Sequence, residues 1–325
     1  MAGRESPGDL VMTEAEFRMF SELVRTYCGL NFASESRYLL EKRIGRRMHE
    51  LEIPSFAAYH YRLRNDASVD PELARLVDEL TTNETYFMRE RRQLQALLEE
   101  IVPELALRRR EQGGGPLNVW SAGCASGEEP YSIVMLALEA GLGLGRDLRV
   151  YASDISRPAL QKARRGVYRE ASFREVDTGL RHKYFTEKEG LWRISDAVKA
   201  HVDFIHMNLF DRSRIALLNQ MDVVLCRNVI IYFDVETKRN VIQTFYEKLR
   251  PAGFLLLGHS ESLINLSNAF ELRHLRHEMV YRRPAPGEIL RDPVHSRAAA
   301  AISRVDRTGG PEAAPLPSER SRGEH

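Results

Sequence analysis

The residues of this chain whose types and spacing could do chemistry are carboxylates set where apolar runs end. The first group lies in Leu117-Asn118-Val119-Trp120-Ser121-Ala122-Gly123-Cys124-Ala125-Ser126-Gly127-Glu128-Glu129-Pro130. An apolar run stops at small residues. Two glutamates and a proline then open a stretch with Tyr131, Ile133, Val134, Leu136, Ala137 and Leu138 at helical spacing. That order predicts a buried strand, a tight turn and a helix. Glycine in such a turn lets the backbone approach a nucleotide-like ligand. The spacing is not the dinucleotide G-x-G-x-x-G, and two glutamates at the helix start oppose a pyrophosphate there, because like charges would meet. A ligand with hydroxyls and a cationic centre suits the site better. Asp154 follows the apolar run Leu148 to Ser153, where a carboxylate can accept hydrogen bonds from ribose hydroxyls. Taken alone, Asp154 reads equally well as a helix start ahead of Ser156-Arg157-Pro158, and Glu128 and Glu129 as helix caps.

Further polar residues stand at comparable places. Asn208-Leu209 follows the run Val202 to Met207, at a height suited to an adenine edge, although an isolated Asn there is ordinarily a turn residue. Arg227-Asn228 follows Met221 to Cys226, and Tyr232 stands four residues on, where a core tyrosine is the plain alternative. Upstream, Asn83, Thr85 and Arg89 fall in Asn83-Glu84-Thr85-Tyr86-Phe87-Met88-Arg89, which alone could be a simple helix start.

The elements that must position these residues follow from periodicity. Thr13-Glu14-Ala15-Glu16 is a capping box ahead of Phe17, Phe20, Leu23 and Val24. A second helix is predicted over about Ser36 to Leu51, with Leu40, Ile44, Met48 and Leu51 as its stripe. Lys42, Arg43, Arg46 and Arg47 share an adjoining cationic surface. Short helices from Ser55 and from Asp70-Pro71 complete an all-helical N-terminal region. A helical stretch from Leu94 to Leu105 runs into Arg108-Arg109-Arg110, and Gln112 to Pro116 breaks the chain. Strands and helices then alternate: strands over Leu117 onward, Leu148 to Ser153, Val202 to Met207, Met221 to Cys226 and Gly253 to Leu257; helices over Ser156 to Arg165 and Val235 to Leu249; and a closing antiparallel pair, Phe270 to Leu275 and Met279 to Arg282. This predicts an α/β fold with a doubly wound sheet and ligands at the carboxyl ends of its strands. Gly166 to His201 is too long for a simple connection.

Together with Gly258-His259-Ser260-Glu261-Ser262, these motifs resemble the CheR family, the chemotaxis receptor glutamate methyltransferases, over roughly Thr13 to Arg283. The resemblance implies a Rossmann-like class I methyltransferase sheet, an N-terminal all-helical domain over 1–88, a methyltransferase domain over 89–283, and a small inserted β-subdomain at 166–201 that helps engage the receptor. It implies S-adenosyl-L-methionine as cofactor and S-adenosyl-L-homocysteine as product. Asn83, Thr85, Arg89, Asp154, Asn208, Leu209, Arg227 and Asn228 become cofactor contacts, with a glutamate of the Gly-Glu-Glu-Pro motif beside them. Glu129 is preferred there, and Glu128 stays open. Arg89 would orient the substrate carboxylate through its planar fork, Tyr232 would stand near the transferring methyl group, and Tyr86 and Phe87 would pack around the site. The basic helix is a solvated face on the plain reading; the resemblance favours a docking surface for glutamate-bearing receptor helices. A glutamate acceptor, with an unperturbed pKa of about 4.3, is ionised at neutral pH and needs no general base.

Composition sets the frame. The chain has 325 residues, and 43% hydrophobic residues suffice for a packed core. It carries no run of apolar residues long enough for a membrane span, and residues 1–9 hold no apolar signal core. Cys28, Cys124 and Cys226 are distant and odd in number, which suggests a reducing cytoplasm and neither a disulfide framework nor a metal site. A net charge of +1 gives no support to bulk nucleic-acid binding. A nucleic-acid methyltransferase is further disfavoured because Arg227-Asn228-Val229-Ile230 stands where an Asn-Pro-Pro-Tyr type motif belongs. The expected protein is a cytoplasmic monomer that methylates chemoreceptors; an enzyme of another signalling pathway and a non-catalytic cofactor-binding regulator are the alternatives. Residues 284–325, rich in Pro, Ala, Gly, Ser and Arg, read as a disordered tail.

Overall fold

The computed structural model describes residues 11–65 and 69–288. Helix α1 (Glu14–Cys28) starts on the expected capping box: the Glu16 N–H donates to Thr13 Oγ1 at 3.2 Å, and the Thr13 N–H to the Glu16 carboxylate at 2.9 Å. Helices α2 (Arg37–Glu50), α3 (Phe56–Asn65) and α4 (Val69–Leu80) follow. Their apolar stripes meet in one core, with Phe17, Phe20 and Val24 against Leu40, Ile44 and Met48. The next helical stretch is not uniform. Helix α5 (Arg91–Ala96) widens into a π-helical turn, Leu97–Ile101, before α6 (Val102–Glu111). The wide turn ends just ahead of Pro103, which has no N–H to continue the regular ladder.

The remaining chain alternates as the sequence predicts. In order come β1 (Leu117–Ala122), α7 (Glu128–Glu139), β2 (Leu148–Asp154), α8 (Arg157–Arg165), β3 (Val167–Tyr168), α9 (Thr178–Tyr184), β4 (Phe185–Lys188), β5 (Leu191–Ile194), α10 (Asp196–Lys199) and β6 (Val202–His206). Then come α11 (Arg212–Ala216), β7 (Met221–Cys226), α12 (Val235–Lys248), β8 (Leu249–Leu257), β9 (Glu271–His274) and β10 (Met279–Arg282). The main sheet has the order β6-β2-β1-β7-β8-β10-β9. Its first five strands are parallel, and β10 and β9 close it antiparallel. Strand alternation sorts side chains onto two faces. Val119, Val223, Leu225, Phe254 and Leu256 join the core under α5 to α8, while Trp120, Val224, Cys226, Leu255 and Leu257 join the core under α12. Both faces are covered, so β1 and β7 are buried at every residue. The inserted segment forms a second sheet, β3-β5-β4, that buries Tyr168, Phe173 and Phe185.

Two expectations need correction. The fifth main strand begins at Leu249, before Gly253. The segment expected as tail opens with an ordered turn, because Arg282 holds the Glu288 carboxylate at 2.9 Å and the Ala285 N–H donates to it at 2.9 Å; residues 289–325 lie outside the described residues.

The helical domain is fastened over the carboxyl ends of the parallel strands. Leu30, just after α1, bridges to Phe233, and the Asn31 N–H donates to the Tyr232 carbonyl at 2.9 Å. Asn208 Nδ2 donates to the Tyr27 carbonyl at 2.7 Å, and the Arg157 N–H donates to Asp78 Oδ1 at 2.8 Å. These bonds come from loops after β6, β7 and β2, so a space above the strand ends is enclosed by both domains.

Candidate functional site

That space is a cleft of about 930 Å³, counting its mouth open to solvent. Its floor is the turn after β1, Gly123 to Ala125. Gly123 has φ 84°, and a Cβ there would lie 2.4 Å from Val229 Cγ2, so only glycine lets the turns after β1 and β7 touch. Ala125 is left-handed at φ 46°, which aims its N–H at Asp154 Oδ2, 2.7 Å away. Asp154 Oδ1 accepts the Ser156 N–H at 2.8 Å. Burial pushes the Asp154 carboxyl above its usual range, against these backbone bonds that favour its charge.

The two adjacent glutamates part company. Glu129 lines the cleft; its Oε1 accepts from Ser121 Oγ at 2.7 Å and its Oε2 from Arg227 Nη1 at 3.0 Å. Glu128 turns the other way and is fully buried, accepting from Ser126 Oγ at 2.7 Å and Ser172 Oγ at 3.2 Å. Burial raises its carboxyl pKa. Glu128 therefore joins α7 to the inserted segment, and of the two glutamates it is Glu129 that faces the cleft.

Arg227, 1% exposed in its side chain, lies between two carboxylates. Besides Glu129 it holds Glu90 Oε2 at 3.1 Å and the Arg89 carbonyl. Glu90 Oε1 accepts the His259 N–H at 3.4 Å. Burial alone would raise the Glu90 carboxyl, but the Arg227 charge and the hydrogen bonds hold it below its ordinary value. The whole row Glu129–Arg227–Glu90 runs from the cleft wall into the interior.

Asn83, Thr85, Arg89, Asp154 and Leu209 line the cleft with Glu129, as do Arg227, Asn228 and Tyr232. Asn83 Nδ2 donates to Ser156 Oγ at 3.2 Å, and Arg89 Nη1 to the Glu84 carbonyl at 3.2 Å. Asn208 does not line it. Both ends of its amide are engaged, Nδ2 with the Tyr27 carbonyl and Oδ1 with the Phe210 N–H at 3.0 Å, so its side chain fastens the domains. Met207 and Leu209 flank it on the cleft wall. Phe87 is also elsewhere than expected: it is buried against Phe173, Tyr168 and Phe185 of the inserted segment, and Tyr86 stacks under Arg174 at 3.6 Å. Sequence reasoning missed Glu90 and Ser121, which hold Arg227 and Glu129, and the apolar contribution of Cys28 and Leu30 to the wall. Glu90 directly follows the motif that ends at Arg89, and that adjacency was the available signal.

The basic stripe of α2 does not form one free cationic face. Arg47 makes two bonds to Glu72, at 2.9 and 2.7 Å, and one to Glu50 at 2.7 Å. Arg43 donates to the Glu79 carbonyl at 3.0 Å, and Arg46 pairs with the Glu79 carboxylate. Residues 43 and 47 are one helical turn apart and face α4, so they hold the two helices together. Lys42 is exposed.

Two carboxylates facing one cleft, one at the end of β2 and one at the start of α7, fit a ligand with hydroxyls and a positive centre. Among the described residues no cluster of metal-ligating side chains occurs, and no helix is long and apolar enough to cross a membrane.

Comparison with known proteins agrees in both domains. Residues 15–81 match the family described as CheR methyltransferase, all-alpha domain, and residues 83–279 the CheR methyltransferase, SAM binding domain. Chemotaxis protein methyltransferase 2 of Vibrio cholerae is 37% identical over 282 residues, 86% of this chain and 96% of that protein. The chemotaxis protein methyltransferase of Escherichia coli is 35% identical over 269 residues, 81% of this chain and 90% of that protein. Chemotaxis protein methyltransferase 1 of Pseudomonas aeruginosa is 33% identical over 274 residues, covering 82% and 97%.

Proposed function

The chain belongs to the CheR methyltransferase family and is a chemotaxis methyltransferase dependent on S-adenosyl-L-methionine; from that premise we propose that its acceptor is a glutamate side chain of chemoreceptors in the cytoplasm. The product is a γ-glutamyl methyl ester. When bound, the cofactor supplies an activated methyl on a sulfonium. With it bound, a glutamate oxygen would take the methyl carbon as the carbon–sulfur bond breaks, the electron pair staying on sulfur to give S-adenosyl-L-homocysteine. The acceptor is already a carboxylate at neutral pH, with a usual pKa of about 4.3, so the protein need supply no base.

The work of the chain's residues is then to align and to exclude water. Asp154 accepts hydrogen bonds from the ribose hydroxyls, and Glu129 binds a further cofactor donor. Asn83, Thr85, Leu209, Arg227 and Asn228 complete the cofactor's surroundings, with Arg227 acting mainly by fixing Glu129. Arg89 orients the incoming carboxylate, and Tyr232 borders the path of the methyl group. The observation that carries this reading is Arg89: it lines the cleft beside Glu84, and among the described residues its guanidinium has one hydrogen bond, from Nη1 to a carbonyl. The rest of its planar fork suits a carboxylate. Lys42 and Arg46 on α2 are the more exposed members of the basic helix, and we assign them the acidic receptor helix.

The experiment is to label candidate receptors from methyl-tritiated cofactor and then make the product alkaline. A glutamyl ester releases volatile methanol, whereas methylated amines and nucleobases keep their label. Arg89→Ala should bind S-adenosyl-L-homocysteine and lose most of the labelling. Base-stable label would overturn the acceptor.

A further inference from the structure

The loop after β7 carries Asn228 and Tyr232, and one side chain from the turn after β8 holds it. Glu261 Oε2 accepts the Asn228 N–H at 2.8 Å and the Gly258 N–H at 2.7 Å. Its Oε1 accepts the Val229 N–H at 2.9 Å and the Ile231 N–H at 3.3 Å. One carboxylate thus gathers backbone donors from both loops at the cleft. Burial pushes the Glu261 carboxyl above its usual value, and every one of these bonds favours the charged form instead.

What this clamp holds is an unfavourable conformation. Asn228 sits at φ 60°, a left-handed position that a residue with a side chain keeps only when its surroundings impose it. The fit around it is close. A Cβ on Gly258 would lie 2.7 Å from Asn228 Nδ2 and 2.9 Å from its backbone nitrogen. Asn228 lines the cleft, and among the described residues its buried Oδ1 has no hydrogen-bond partner.

We propose that Glu261 is a positioning residue of the cofactor site: by holding the backbone of residues 228 to 231, it fixes Asn228 at the cleft wall, where Asn228 contacts the cofactor. Glu261 touches no ligand itself. The assignment rests on cofactor binding and not on the acceptor, so a test without receptor remains decisive whatever is methylated.

The test is calorimetric titration of the full chain with S-adenosyl-L-homocysteine, alongside thermal melting, for Glu261→Gln, Asn228→Ala and the double variant. In Glu261→Gln an amide NH2 faces two of the donors that the carboxylate now accepts. Affinity should fall on the order of 10-fold in each single variant, the scale of one lost hydrogen bond to a charged group. The double variant should lose no more than the worse single, because both act through one contact. A lower melting point with unchanged affinity in Glu261→Gln would make Glu261 merely structural and overturn the proposal, as would losses that multiply in the double variant. Should Glu261→Gln not fold, Gly258→Ala decides. Its Cβ would press on both the amide and the backbone nitrogen of Asn228, and only the amide contact disappears in Asn228→Ala, so it should weaken binding more in the wild-type background than with Asn228→Ala; equal effects in both backgrounds refute the idea.

Discussion

Replacing Arg227 by methionine, which keeps the unbranched stem and removes the charge, tests the buried row most directly. The guanidinium is 1% exposed, and its partners Glu90 and Glu129 are 11% and 14% exposed in their side chains. Removing one partner of such a pair leaves uncompensated charge and typically costs about 3–5 kcal/mol. At roughly 2–4 °C per kcal/mol for a domain of this size, the melting point at neutral pH should fall by about 6–20 °C. The sign of the pH dependence follows from Glu90. Its folded pKa lies below the ordinary value, so in the wild type it adds stability that is present above the unfolded pKa and lost as pH falls through the folded one. Without Arg227, burial dominates and the folded pKa rises above the unfolded value. Glu90 then favours the folded state only where it is protonated, and that contribution is lost as pH rises. The gap between wild type and variant should therefore narrow between pH 7.5 and pH 5. Adding Glu90→Gln should restore part of the loss, because the stranded charge is gone. Melting curves at the two pH values are the assay. A fall of less than a few degrees, or a double variant worse than Arg227→Met alone, would refute the argument.

Asp154→Ala should weaken S-adenosyl-L-homocysteine binding roughly 10- to 150-fold, for about 1.5–3 kcal/mol of charge-assisted hydrogen bonding. Because burial raises the Asp154 carboxyl, wild-type affinity should decline as pH falls through a value above the usual 3.9 or so; a profile that matches the Asp154→Ala variant at every pH removes Asp154 from the site. Lys42→Glu with Arg46→Glu should slow receptor methylation and spare cofactor binding, and salt should mimic the loss in the wild type, since exposed charges are screened over about 8 Å at physiological ionic strength; a normal rate at low salt leaves the stripe a solvated face. Arg47→Ala removes the paired bonds to Glu72 and should destabilise the helical domain by about 2–3 kcal/mol; an unchanged melting curve would show that the seam between α2 and α4 is held by apolar contacts alone.

Much of the fold was legible because strand and helix periods differ and the chain obeys both. Met221 to Cys226 reads as a strand and is one, and the capping box at Thr13 begins a helix. The cleft residues were legible as strand-end positions. What they do with their side chains was not. Adjacent residues on a helix point about 100° apart, so Glu128 and Glu129 had to differ, but only the packed surroundings decide which one faces the cleft. The same geometry defeated the basic stripe. A spacing of four puts Arg43 and Arg47 on one face, and the sequence does not say that α4 brings Glu72 and the Glu79 carbonyl against it. Asn208 was read by its place after a strand, whereas its amide is taken by a carbonyl from α1, 181 positions earlier in the chain. Such partners carry no local signature.

The backbone of the cleft adds a feature that residue types concealed. Ala125 and Asn228 both line the cleft and both take positive φ, 46° and 60°. Each directs its N–H onto a carboxylate: Ala125 onto the buried Asp154 at 2.7 Å, Asn228 onto the half-buried Glu261 at 2.8 Å. A left-handed residue with a side chain costs of order 1–3 kcal/mol, and hydrogen bonds to a charged group return about 1.5–3 kcal/mol each. The two terms are similar in size, which explains how alanine and asparagine hold positions where glycine is the common choice. Glycine would remove the strain, but it would also enlarge the unfolded ensemble and loosen two turns that set the cleft's shape. Pairing strained backbone with buried carboxylate gives both turns one defined conformation. It also accounts for the separate tasks of the acidic residues: Asp154 and Glu261 collect backbone N–H groups from the turns, while Glu129 and Glu90 are fixed by the side chain of Arg227.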